Sequence, residues 1–439
     1  MKRRDFLSGA AVGAYAQARP DLLAIAAEHV RISEADRVRG GLWGRIGWSE
    51  SERASARLLA AQLGRYLPQA KLEEFRFRAY RPASWDVRAD GGTLASAMPA
   101  PFDAHFPEDP IRAPVVEVKA DGDWSAARGR WALLRNAGFT VSTLVREKLL
   151  YQKAVESGAA GLVFSLNTPP DSLWRAVVPV DKPYAVRDER YPDQRRPIPC
   201  FAVDASDGSR IGGELTARIG YEKETRRQAL NAVGYLAGHG ERTVAILTHI
   251  DAFFSGACDN ATGIATLVGL AHRLSRLEKA ARRAHFWFGG LAAHHDSAEG
   301  MRAFLAKDDK RSASIHEMIL LEHLDALDLD DGAKAGWPVP LNNQRTAYVG
   351  QPAWGEAKAV AARLARETGL MTADPEIREA CIADLFVTCG KVRSFCLMQA
   401  PPFYHTDHDT LDRISRRGIE AGVEFHMRLL GATGTLELR

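Results

Sequence analysis

The stretch Val244-Ala245-Ile246-Leu247-Thr248-His249-Ile250-Asp251, followed after four residues by Gly256-Ala257-Cys258-Asp259-Asn260-Ala261-Thr262-Gly263, decides how this chain is read. A short run of small and branched apolar residues reads as a strand buried on both faces. Its polarity changes abruptly at Thr248 and His249. Beyond the turn, Ile264, Leu267, Val268, Ala271 and Leu274 recur at helical spacing, so a helix with one apolar face comes next. Phe286-Trp287-Phe288, Met318 to Leu321 and Phe395-Cys396-Leu397 repeat the strand half of this unit. Strands alternating with helices predict an α/β fold with a doubly wound, mostly parallel sheet. Such sheets gather function in the loops at the carboxyl ends of their strands.

Polar clusters stand at those ends. His249 and Asp251 follow the first strand, and Asp259-Asn260 opens the helix. Ala293-His294-His295-Asp296 follows the second strand, and Phe403-Tyr404-His405-Thr406-Asp407-His408-Asp409-Thr410 follows the last. Histidine and aspartate suit a borderline cation such as Zn²⁺ or another divalent transition metal. Asp251, two residues beyond His249, is placed to accept the imidazole's second N–H. Taken singly, each cluster reads as a solvated histidine or as a helix cap joined to a turn. Their common placement after apolar strands makes a metal site the economical account.

Upstream, Ser49-Glu50-Ser51-Glu52 has the form of a capping box, with Leu58, Leu59, Leu63 and Leu67 behind it. The pattern breaks near Arg81-Pro82 and regains regularity at Asn231. Between these points Trp131-Ala132-Leu133-Leu134 and Gly161-Leu162-Val163-Phe164 read as strands, with a helix over residues 144–156 stopped by Gly158. The domain expectation is therefore residues 19–84 and 228–439 as one unit, with residues 85–227 as a smaller insert. Lys2-Arg3-Arg4-Asp5-Phe6-Leu7, a short Ala/Gly-rich stretch and the small-residue site Ala16-Gln17-Ala18 read as an export signal over residues 1–18. Its paired arginines resemble a twin-arginine signal and imply a periplasmic or secreted protein. Five cysteines are too few for a disulfide scaffold, though an exported chain could pair Cys389 with Cys396. The chain has 439 residues, 46% hydrophobic and 26% charged, with 58 basic residues interleaved among 55 acidic ones for a net charge of +3. That pattern gives no nucleic-acid footprint, and no apolar run reaches membrane-spanning length. Oligomeric state is not legible.

His249-Ile250-Asp251, the run Gly256 to Gly263, and Tyr404-His405-Thr406 with Asp409-Thr410 resemble the motifs of the M28 zinc aminopeptidase family. Ala383-Asp384-Leu385-Phe386 resembles a further acidic motif of that family. The run Ala154-Val155-Glu156-Ser157-Gly158-Ala159-Ala160-Gly161-Leu162-Val163 and Ile198-Pro199-Cys200-Phe201-Ala202-Val203 resemble the protease-associated domain, which would form a lid or spacer. The M28 resemblance implies a peptidase acting on a peptide or small amide. It implies one or two zinc ions, with His249 on one metal, Asp259 bridging and His405 on the other. Asp325 would complete the first site, with Glu322 and His323 as alternatives, and Asp251 would orient His249. Tyr404 and Asp384 would face substrate. Where the family carries a Glu-Glu pair, the frame anchored on Gly300 and Phe304 places His294 as general base and His295 as ligand of the second metal. The resemblance also leaves open a hydrolase or cyclase on another substrate, as in glutaminyl cyclases, or an inactive binding protein of the transferrin-receptor type.

Overall fold

The structure, a computed structural model, describes residues 19–38, 41–78, 81–100, 109–137, 141–166, 173–175, 198–222, 226–324, 345–371, 374–399, 401 and 403–437. The signal expected at residues 1–18 and the candidate ligand Asp325 lie outside them.

Two helices open the described chain, Leu22–Ala35 and Glu50–Gly64, and Ser49 caps the second by accepting from the Glu52 N–H at 3.0 Å. Strand β1 (Lys71–Arg78) comes next. Eight strands then form a separate sheet: β2 (Pro82–Ala89), β3 (Gly92–Thr93), β4 (Met98–Pro99), β5 (Ile111–Glu117), β6 (Trp131–Ala137), β7 (Gly161–Leu166), β8 (Cys200–Val203) and β9 (Glu214–Tyr221). The chain returns through β10 (Arg226–Leu236), β11 (Arg242–His249), β12 (Ala284–Leu291), β13 (Glu317–Leu321), β14 (Thr346–Val349), β15 (Glu376–Glu379) and β16 (Arg393–Met398).

The main sheet runs β1-β10-β12-β11-β13-β16-β14-β15. Its central strands β12, β11, β13 and β16 are parallel, as the alternation of strands and helices predicts. The flanks add antiparallel neighbours, β10 and β1 on one side and β14 against β16 on the other, so the sheet is mixed with four of its seven pairings parallel. Both faces are covered. Val244 and Ile246 of β11 point into one apolar cluster with Ile264, Leu267 and Phe425, while Ala245 and Leu247 point into another with Met301, Phe304 and Leu320. Removing a branched side chain from such a doubly covered strand costs roughly 2–5 kcal/mol. Register brings the strand ends level, with His249 opposite Leu291 and Leu321 opposite Leu397.

The second sheet, order β3-β2-β9-β5-β6-β7-β8-β4, is drawn wholly from residues 82–221. It buries its own cluster around Trp131, Tyr151, Phe164 and Phe201. Gly161 must be glycine because the Trp131 ring occupies the space its Cβ would take. The chain leaves the main sheet through β1 and re-enters through β10, which pair at Arg78 and Arg226. One cysteine expectation is corrected: Cys389 bonds Cys381, and Cys396 is a buried free thiol on β16.

Candidate metal centre

All four central strands deliver side chains to one place beyond their carboxyl ends. β11 ends in His249, β12 leads to His294 and His295, β13 to Glu322 and His323, and β16 to Tyr404 and His405. The turns carrying these residues use left-handed backbone at non-glycine positions, with φ of 53° at Ala293, 45° at His323 and 58° at His405. Such conformations cost on the order of 1–2 kcal/mol each and persist where surrounding bonds enforce them.

Those bonds are present. The Glu52 carboxylate accepts the N–H groups of Trp48 and Ala293, both at 2.7 Å, so the capping-box glutamate also clamps the turn before His294. The Asn260 amide donates to Thr248 and to the Leu321 carbonyl, and its oxygen accepts the His323 N–H at 3.2 Å. Asp409 accepts the N–H groups of Cys258 and Asp259 at 2.7 and 2.9 Å. The buried Arg45 guanidinium donates to the carbonyls of His29, Ile250, Ser255 and Gly256. Burial brings Arg45 down to about 10, against the pull of Asp259, Asp251 and Asp409.

Asp259 sits at the centre of the cluster. Its Oδ1 lies 3.1 Å from His249 Nε2 and 2.9 Å from His323 Nε2, and its Oδ2 lies 3.2 Å from His405 Nε2 and 3.9 Å from His295 Nε2. The outer nitrogens of three of these four imidazoles are already committed, and His405 Nδ1 is buried without a partner. His249 Nδ1 donates to the Asp251 carbonyl and His323 Nδ1 to the Gln399 carbonyl, each at 2.9 Å. His295 Nδ1 donates to the Asp251 carboxylate at 2.7 Å. With those three imidazoles neutral, their Nε2 lone pairs and the Asp259 oxygens face each other without a proton between them, so the arrangement calls for a cation, a proton on His249 included. His249 Nε2 and Asp259 Oδ2 are buried atoms with no hydrogen-bond partner. Acceptors converging on acceptors are repulsive, and a cation on either side of Asp259 reverses the sign of that interaction. The donors therefore fit two metal ions, one between His249, His323 and Asp259, the other between His295, His405 and Asp259.

Titration behaviour reflects burial and charge. Burial disfavours the charged form of His249, but Asp251 and Asp259 outweigh it and raise its pKa well above the imidazole range. Burial lowers His295 to about 4 and His405 to about 3. Asp251 and Asp259 resist burial because imidazoles surround them, and both sit well below the carboxylate range.

Each predicted residue within the described part of the chain has a definite place. His294 stacks on His249, with ring centroids 4.1 Å apart, and its Nδ1 bonds Asp384 Oδ1 at 2.9 Å. Asp384, expected to meet substrate, thus spends one oxygen on His294, while its Oδ2 is buried without a partner. Burial opposes charge on His294, yet Asp384 prevails and raises its pKa. The Asp251 carboxylate is closer to His295 than to His249, whose Nδ1 it approaches only to 3.5 Å. Tyr404 stacks on His405 at 3.6 Å and lies against His323 at 4.7 Å. His323, one of the alternatives to Asp325, lies 2.9 Å from Asp259 Oδ1, and Asp325 itself is outside the described residues. Glu322 is buried beside His249 and His294, with Oε1 unpartnered. Sequence reasoning missed Arg45 and the clamping role of Glu52. The capping box was the only signal for Glu52, and Arg45 has none.

No protein-family model matches the sequence, and no curated protein matches it. Solved structures do match. A zinc aminopeptidase from Bacillus subtilis superposes with a TM-score of 0.65 at 16% identity, covering 94% of this chain and 96% of that one. A share of that size takes in both sheets. The fold is that of a zinc aminopeptidase. A peptidase M28 precursor from Shewanella amazonensis SB2B gives a TM-score of 0.64 at 15% identity over 95% of this chain and 96% of its own. An aminopeptidase from Aneurinibacillus sp. strain AM-1 gives 0.58 at 16% identity over 93% of each.

Proposed function

We propose that this protein is a metal-dependent peptidase that removes N-terminal residues from peptides, with imidazoles in place of carboxylates around its metals. The observation that carries the proposal is Asp259, whose two oxygens each face two imidazole Nε2 atoms in a buried cluster. His249 and His323 would hold one ion, His295 and His405 the other, and Asp259 both. Zinc bound there would supply Lewis acidity toward the scissile carbonyl.

The protein's own residues handle protons and position. Asp384 fixes the His294 ring through Nδ1, so proton exchange with a nucleophilic water or a departing amine falls to Nε2. The raised pKa strengthens His294 as a base, and cations bound next door would oppose its protonation and keep it ready to accept. Asp251 orients His295 in the same way. The Tyr404 ring packs the far side of His323 and His405 and helps close the cluster.

Residues 85–227 are read as a protease-associated lid, supported by the Gly158–Val163 turn and strand and by the separate sheet. Export through a twin-arginine signal is read from residues 1–18, and the Cys381–Cys389 bond suits an oxidising compartment. The binding-protein alternative is disfavoured because a buried set of converging acceptors has no purpose without a cation.

Elemental analysis of purified protein, paired with aminoacyl-anilide hydrolysis before and after chelation, tests the reading. One or two zinc equivalents with chelator-sensitive hydrolysis support it; a metal-free protein after growth in zinc overturns it.

A further inference from the structure

Among the described residues, Leu173, Trp174 and Arg175 bring the insert against the loop that carries His405. Trp174 forms an antiparallel bridge with Thr406, Arg175 donates its backbone N–H to the His405 carbonyl at 3.1 Å, and Asp407 donates to the Leu173 carbonyl at 3.1 Å. The Leu173 N–H returns to the Asp407 carboxylate at 2.9 Å. Both ends of this tie are anchored. Leu173 packs on the main core, and Trp174 is buried in the insert's cluster with its ring 5.7 Å from Phe164. Arg175 is thereby fixed beside the loop that carries His405.

Its side chain does not reach solvent. Arg175 is 1% exposed, and its guanidinium lies 4.5 Å over the Phe253 ring. Phe253 in turn packs 4.2 Å from His295 and 5.0 Å from His405. Nε and Nη1 of Arg175 are buried without a hydrogen-bond partner. Asp296 is the anion that acts on it, and Arg81 repels it. A guanidinium with two orphaned donors is a costly group to bury. Asp296 acts on the guanidinium through its charge, and Nε and Nη1 remain without an acceptor.

We propose that Arg175 is a specificity residue delivered by the insert, and that the substrate carries a carboxylate which this guanidinium binds beside the bond to be broken. The proposal rests on the peptidase reading above. The carboxylate has two possible sources, the side chain of an acidic residue or the C-terminus of a very short peptide. Arginine suits either, because its donors match a carboxylate and the Phe253 face holds the guanidinium plane.

The test uses the zinc-loaded full chain and two substrate pairs: Ala-Ala against Ala-Ala-amide, and Glu-Ala-amide against Gln-Ala-amide. KM and kcat are measured for wild type, Arg175→Met and Arg175→Lys, with zinc content and melting temperature as controls for folding. In wild type the carboxylate member of one pair should be preferred on the order of 10- to 100-fold in KM, and that pair identifies the source. Arg175→Met should collapse the preference and Arg175→Lys should restore part of it. If no peptide is cleaved, calorimetric binding of the same four peptides gives the same comparison, so failure of the peptidase reading does not hide the outcome. Equal treatment of both members in each pair by wild type, or a preference that survives Arg175→Met, overturns the proposal.

Discussion

The chain contains two sets of four adjacent parallel strands, β12-β11-β13-β16 in the main sheet and β5-β6-β7-β8 in the insert, and among the described residues only the first carries a cluster of metal-ligating side chains. Both bury their strands against apolar clusters. They differ in the residues set beyond the strand ends. The main strands run out into His249, His294, His295, Glu322, His323 and His405. In the insert, β8 leads to Asp204, whose carboxylate caps a short helix by accepting from Asp207 at 2.7 Å. Beyond β7 the chain leads to Leu173, Trp174 and Arg175, which meet the loop that carries His405. Parallel topology provides a crevice at the strand ends, and the residues placed there decide whether it has a function.

The largest effect should come from the residue both halves of the centre share. Asp259→Ala should remove bound metal from both positions and reduce hydrolysis by about 10⁴-fold or more. His249→Ala should remove most of the metal as well. Elemental analysis beside activity checks both, and full metal retention in the two variants would break the contrast between the sheets at its root.

Next in size is the pair that separates holding metal from moving protons. His294→Ala should retain metal and lose about 10²- to 10⁴-fold in kcat. Asp384→Asn should lose roughly 10- to 100-fold, because Asp384 acts through the His294 ring. His295→Ala should instead weaken metal binding itself. Metal loss from His294→Ala equal to that from His295→Ala would move His294 from proton handling to metal binding.

These variants also mark what the sequence made legible. His249 and His405 stand out because each follows an apolar run that marks a strand, and Asp259 because it opens the helix whose apolar face recurs at helical spacing. His294 and His295 needed an external frame, since the turn after β12 has no internal period to count. His323 was obscured for a backbone reason: it enters the cluster because its φ is 45°, and histidine gives no sequence cue for left-handed backbone. Arg45 and Arg175 act across 205 residues of sequence, to Ile250, and through an insert, so local pattern cannot reveal them. The antiparallel flanks escaped for a related reason, because strand direction depends on connections the apolar pattern does not encode.

Excising residues 82–222 and joining the neighbouring ends of β1 and β10 tests the comparison at the level of whole sheets. The remaining sheet should fold and bind metal at wild-type stoichiometry, while any preference for a carboxylate, on the order of 10-fold or more, should vanish with Arg175. Far-ultraviolet circular dichroism and elemental analysis report the first outcome, and the paired peptides report the second. A deletion product without cooperative melting would show that the main sheet depends on the insert for stability.

The smallest effect concerns acid. Of the 13 histidines in the chain, only His105 falls within residues 82–221, so acid acts mainly on the main sheet. His29 joins the first two helices by bonds of 2.7 Å to Ser55 and 3.1 Å to Gln62. Burial and then the charge of Arg45 lower it to about 3, with Gln62 opposing. Burial likewise lowers His426 to about 4. The unfolded chain protonates both near pH 6.5, so each contributes stability above that pH and loses it as the pH falls toward the folded value. The buried acids Glu52 and Asp409 act in the opposite sense. Their raised pKa values favour the folded state as the pH falls through this window, which flattens the total dependence. A single variant therefore reports more clearly than the whole curve. His29→Gln keeps a hydrogen-bonding side chain but cannot titrate. Relative to wild type it should gain about 1.4 kcal/mol for each pH unit between 6.5 and 4, read from urea unfolding. Parallel curves for the two proteins across that window would mean that His29 is protonated in the folded state and that acid does not enter through the first two helices.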